Sequence, residues 1–135
     1  MATVATTTAG RIEVVEWGEQ DNGVAAADIT AGTFVRKDTS GKWIQSLATS
    51  ATNAAGARLA LRTVKAGEAL TGMKNGVVSG YTVTQAYNAS LYLSDTGTLA
   101  DTAGTTSVVV GRVLEGTAVA PGTAYDKNVR IDCPN

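Results

Sequence analysis

The chain contains no histidine, and that absence bounds its chemistry before anything else does. Histidine is the usual acid or base near neutral pH, the partner of nucleophilic Ser and Cys, and the commonest zinc ligand. A single cysteine, Cys133, excludes both an intramolecular disulfide and a thiolate cage for a metal. It reads as a free, inert thiol near the end of the sequence, with an intermolecular bridge as the alternative. Charge is scarce: 17% of residues are charged, against a usual value of about 25%. The 11 basic and 12 acidic residues leave a net charge of −1 and form no basic cluster. Nucleic-acid binders gain affinity by releasing counterions through Lys/Arg patches, so no DNA or RNA partner is expected. No run approaches the ~18 apolar residues of a membrane span. The first ten residues, MATVATTTAG, lack the basic and apolar regions of a signal peptide. There is no phosphate-binding loop, no dinucleotide fingerprint and no repeat of fixed period. Together these absences point away from an enzyme, and no cofactor or metal is expected.

What is present is small and β-branched. Ala, Thr, Gly and Val dominate a chain that is 44% hydrophobic and has only one Phe. At 135 residues it is one domain's length, enough to bury roughly 68% of its unfolded surface. Residues 1–10 read as an extended N-terminal arm, since residues 1–9 hold four Thr, three Ala and no charge. Residues 11–135 read as a single β-rich domain. RIEVVEW (Arg11 to Trp17) alternates, with Ile12, Val14 and Glu16 on one face and Glu13, Val15 and Trp17 on the other. GEQDNG reads as a turn, with Asn22-Gly23 at its tip. Thr33 to Lys37, a turn over Asp38 to Gly41, and Lys42 to Gln45 read as a hairpin. Leu47 to Ala57 is the one plausible helix, short and Ala-rich, with Ser46 as its N-cap and Gly56 near its end. Arg58 to Val64 alternates again. Ala69 to Met73, a Lys74-Asn75-Gly76 turn and Val77 to Val83 follow. Leu91 to Leu93, Ser107 to Leu114 and Lys127 to Cys133 complete the set. The sum is a compact all-β sandwich or barrel of about eight to ten short strands with one short helix.

Few side chains stand out as reactive. Asp21, Asp28, Asp95 and Asp101 lie in polar loops, without the aromatics a sugar cleft would want or the acidic density of a calcium loop. They read as solvated turn residues. Lys74 in GMKNG sits like the attachment lysine of a biotin or lipoyl carrier domain, but Asn75 follows it where a second Met is expected. A plain Asn-Gly turn explains the same residues. Trp17 and Trp43 both suit core anchors. Trp17, at a strand end just after the arm, is the better interface candidate, because Trp is enriched at binding hot spots. Arg58 and Arg62 fall on one face of their strand, either solvated or ion-paired across a subunit contact.

From Gly32 to Leu114 the order of features resembles small phage capsid decoration (cement) proteins, including those with the β-tulip or a related β-sandwich fold. The matching stretches are ITAGTFVRKDTSGKWIQ, SATNAAGARLAL, VKAGEALTGMKNGVVSG and SLYLSDTGTLADTAGTTSVVVGRVL. The resemblance covers about 80 of the 135 residues and is a pattern of turns and small residues, with no catalytic signature. The resemblance implies a structural virion protein on the capsid exterior that bridges major capsid proteins, often as a homotrimer. The residues expected to contact the capsid or a neighbouring subunit are Thr3, Val4, Thr6, Thr7 and Thr8 of the arm, with Trp17, Arg58 and Arg62. Other readings are a fibre-base or adhesin module, and an enzyme or carrier domain.

Overall fold

The computed structural model describes residues 12–81, 83–115 and 127–134. Among them are eleven strands: β1 (Glu13–Trp17), β2 (Gln20–Val24), β3 (Phe34–Lys37), β4 (Trp43–Gln45), β5 (Arg58–Ala60), β6 (Ala69–Met73), β7 (Asn75–Ser79), β8 (Ser90–Leu93), β9 (Leu99–Ala100), β10 (Val109–Glu115) and β11 (Lys127–Asp132). They form two antiparallel sheets, one of six strands in the order β1-β7-β11-β10-β8-β9 and one of five in the order β2-β6-β5-β3-β4. The all-β fold with one short helix is as the alternation required. The arm, with Thr3, Val4, Thr6, Thr7 and Thr8, lies outside the described residues.

The core follows from cross-strand registry. Phe34 lies opposite Leu59, and Leu59 opposite Met73, so one row of the five-stranded sheet points inward. Val78, Val129, Val113, Leu91 and Leu93 answer it from the six-stranded sheet, all buried in the same cluster. Burying a side chain of this size contributes about 1.5–3 kcal/mol. The five-stranded sheet is also covered on its outer side. There Trp43, Val35, Ala60 and Leu70 pack with Ala25, Ile29 and Val64. The cover is tied down where Ile29 and Val64 exchange two backbone hydrogen bonds of 2.9 Å.

The two sheets share a corner, and here the sequence reading needs correcting. GEQDNG is not a turn: Gln20–Val24 is β2, and Asn22-Gly23 lies inside it, paired with Thr71 and Leu70. Gly23 serves proximity rather than turning, since a Cβ there would come within 2.8 Å of the Trp43 indole nitrogen. Asn75-Gly76 likewise lies in β7, and only Lys74 bends. β1 pairs with β7 in one sheet and β2 with β6 in the other, so a two-stranded ribbon crosses between the layers at Gly18 and Lys74. The Lys74 amide donates to the Glu19 carbonyl at 2.9 Å, and the Glu19 amide donates to Asn75 Oδ1 at 2.8 Å. A Cβ on Gly18 would collide with both the side chain and the carbonyl of Asn75. The side chain can yield only by giving up its bond to Glu19, and the carbonyl cannot yield. Gly18→Ala is therefore expected to cost about 1–3 kcal/mol through overpacking, read as a lowered urea midpoint with an unchanged slope.

Two further expectations change. The helix is Ala51–Ala54, capped by Ser50 rather than Ser46, with Ser50 Oγ accepting from the Asn53 amide at 3.1 Å. Four residues form little helix alone, and the buried Ala54 holds it to the core. The strand expected over Arg58 to Val64 is limited to Arg58–Ala60, with Val64 held apart in its bridge to Ile29. The Thr/Gly/Asp segment after Leu93 leaves β8 through a tight turn. It folds back as β9, with Leu93 opposite Leu99 and Tyr92 opposite Ala100. The five-residue turn between them is closed by Ser94, whose hydroxyl accepts from the Thr96 and Thr98 amides.

Candidate functional site

The site begins with a β-bulge. Val14 pairs with Val78, but Glu16 pairs with the next residue, Val77, leaving Val15 unmatched. Side chains alternate along a strand and share a face with the residue opposite. The extra residue therefore returns Trp17, opposite Gly76, to the inward side of Val14. This corrects the simple alternation, which placed Trp17 on the other face. Trp17 does not reach the core and is 60% exposed. It stands at the edge of the two layers, where it lines a cavity of about 340 Å³ with Asn22, Gly23, Leu61, Arg62, Ala69, Leu70 and Thr71.

The walls of this mouth are fixed by short bonds. Thr71 Oγ1 donates to Asn22 Oδ1 at 2.8 Å, across the β2–β6 pair. The Arg62 guanidinium donates to the Ala69 carbonyl at 2.8 Å, which holds its alkyl stem along the opening. Arg58 is engaged elsewhere. Its Nε lies 2.7 Å from Asp21 Oδ2, its side chain is largely buried, and it does not line the mouth. Of the two arginines only Arg62 joins Trp17. Val15 and Val24, at 44% and 41% exposure, extend the apolar character along the ribbon. β1 and β2 are the edge strands of their sheets, on the same side of the molecule, and among the described residues no strand pairs with their far sides.

Several other polar groups are committed to structure. Asp28 accepts from the Ala66 amide and Asp38 from the amides of Ser40 and Lys42. Lys74 sits at the corner, 3.6 Å from Glu19, and not at a hairpin tip. The Cys133 thiol is buried, and that burial pushes it up to about 12. Burial likewise raises Tyr81, whose hydroxyl donates to the Gly32 carbonyl at 2.7 Å. Among the described residues no three Cys, Asp or Glu side chains come together as a metal site, and no helix is long and apolar enough to cross a membrane.

Asp95 pins the chain after β9. It accepts from the Thr105 amide at 2.8 Å and the Thr105 hydroxyl at 2.7 Å, and these bonds hold its carboxyl below the ordinary 3.8. A carboxyl lowered on folding stabilises the native state above its unfolded value, and that contribution is lost as pH falls through the folded value. Asp95→Asn is therefore expected to lose less stability than the parent between pH 5 and pH 2.5, measured by urea unfolding. Asp38, lowered by its own backbone bonds, leaves a residual slope in both proteins.

No family model, curated protein or solved structure matches the chain. The site is therefore read from its own geometry. An exposed indole, a guanidinium held in place, exposed valines and two edge strands form a surface suited to gripping another protein. Trp and Arg are the residues that most often carry binding energy, and open edges accept an added strand.

Proposed function

We propose that this protein is a structural component of a phage virion, binding the outer surface of the capsid and stabilising it by bridging major capsid proteins. The observation that carries the reading is Trp17, an indole left exposed at the mouth between two sheets by a bulge that aims it there. The residue pattern from Gly32 to Leu114 that resembles decoration proteins supports it, and so does the commitment of Asp28, Asp38 and Asp95 to backbone amides and of Asp21 and Glu19 to ion pairs. The protein acts by adhering. Association as a homotrimer would repeat each weak contact and raise avidity without new chemistry.

Purified protein mixed with undecorated, expanded capsids should co-sediment at a fixed ratio to the major capsid protein and raise the temperature at which the shells open. Shells that leave the protein in the supernatant would defeat the reading. Saturable binding to host cells or glycans instead would favour an adhesin module.

A further inference from the structure

The outer face of the six-stranded sheet carries a feature that the Trp17 mouth does not explain. Registry places Arg112 of β10 directly opposite Arg130 of β11, and Val77 and Glu16 continue the same row across β7 and β1. Like charges directly opposite across an antiparallel pair destabilise it. Among the described residues no hydrogen bond or ion pair offsets this. The Arg112 guanidinium donates only to the Asn88 carbonyl, at 3.2 Å, and Arg130 has no hydrogen-bond or ion-pair partner among the described residues.

The surroundings form a shallow site. Arg112 and Arg130 line a depression of about 330 Å³ with Val109, Gly111 and Asp132. Gly111 lies in its floor, where a Cβ would collide with the Arg130 carbonyl. Val109, 40% exposed, supplies an apolar rim. The outer side of the other sheet is sealed by the chain's own residues around Ile29 and Val64, whereas here the guanidinium groups are exposed.

We infer that this face docks an acidic protein surface, with a partner Asp or Glu side chain held between Arg112 and Arg130. Two planar forks can each donate paired hydrogen bonds to one carboxylate, and its charge removes the repulsion between them. Asp132 at the rim and Glu16 in the row oppose a phosphate backbone, whose repeated charges cannot avoid them. A single carboxylate on an apolar protein surface fits between. The inference deepens the proposed function: it assigns the acidic partner to the capsid shell, bound through this face in addition to the edge ribbon.

The test uses the full chain and two readouts. In nuclear magnetic resonance titrations with a hexaglutamate peptide, the side-chain Nε–H signals of Arg112 and Arg130 should shift together and saturate. A poly-dT oligonucleotide at equal charge concentration should move them less. Arg130→Glu, which replaces the like-charged pair with an opposite one, should abolish the peptide response and lower shell co-sedimentation at least tenfold. Its thermal midpoint should stay level or rise, whereas loss of a purely structural arginine would lower it. Unmoved Arg112 and Arg130 signals, a stronger response to the oligonucleotide, or an Arg130→Glu protein that sediments with shells as the parent does would each overturn the inference. A parent protein that binds the peptide at these arginines but ignores shells would instead defeat the capsid reading and leave the acidic site standing.

Discussion

Trp43→Ala is expected to lose about 3–5 kcal/mol of stability, the range for removing a large aromatic from a packed interior. The indole is fully buried on the outer side of the five-stranded sheet, among Ala25, Ile29, Val35, Ala60, Val64 and Leu70. Three effects combine at this site. The transfer energy of the ring is lost. The Leu70 carbonyl, which accepts from the indole nitrogen at 2.9 Å, loses its side-chain donor. Lys37, whose ammonium lies 4.8 Å from the ring centroid, loses its aromatic platform. The cavity cannot collapse cheaply, because Gly23 and Gly72 have no side chains to fill it and strand pairing holds them where they are. Domains of this size have only about 5–15 kcal/mol in total, so the variant sits close to unfolding at room temperature. Urea unfolding followed by fluorescence of the remaining Trp17 and by circular dichroism measures the loss. A decrease below about 1 kcal/mol would mean that the cluster is loosely packed.

Trp17→Ala should do the reverse, leaving stability nearly unchanged and removing capsid binding. The side chain is mostly in solvent and stands outside the main cluster, so little native packing is lost. A binding hot spot typically costs 2 kcal/mol or more on truncation, which is about 30-fold in affinity. The expected result is a thermal midpoint within a few degrees of the parent and at least a 30-fold higher concentration for half-saturation of expanded shells. Arg62→Ala, at the other wall of the mouth, should give a smaller loss in the same direction. If Trp17→Ala decorates shells with parental affinity, the mouth between the sheets is not the contact.

How far the sequence alone reaches can be judged from particular residues. The β3–β4 hairpin was legible because Asp38 to Gly41 carries turn chemistry between two alternating runs. β11 was legible for a similar reason: Val129, Ile131 and Cys133 alternate strictly and point inward. The two Asn-Gly pairs misled. Glycine in a hairpin turn and glycine pressed against a neighbour look identical in a sequence: Gly23 lies beneath the Trp43 indole and Gly76 against the Glu16 carbonyl. The bulge at Val15 left no local signal, since its cause is a pairing with residues more than 60 positions away. The helix shrank because Ser50 competes with Ser46 as a cap, and only packing chooses between them. Of the expected contact residues, Trp17 and Arg62 share one opening, whereas Arg58 is satisfied by Asp21 across β2, β6 and β5. The opposed pair Arg112 and Arg130 was invisible without registry, as the two lie 18 positions apart in the chain.

The ribbon that passes through the corner at Gly18 and Lys74 has a mechanical consequence. Its two halves belong to different layers, yet they form one continuous rim. A strand laid along that rim would staple both layers simultaneously, so separating them would require peeling the partner away first. Occupancy would then be felt beyond the edge strands themselves, as slower amide exchange in β7 and β6 alike.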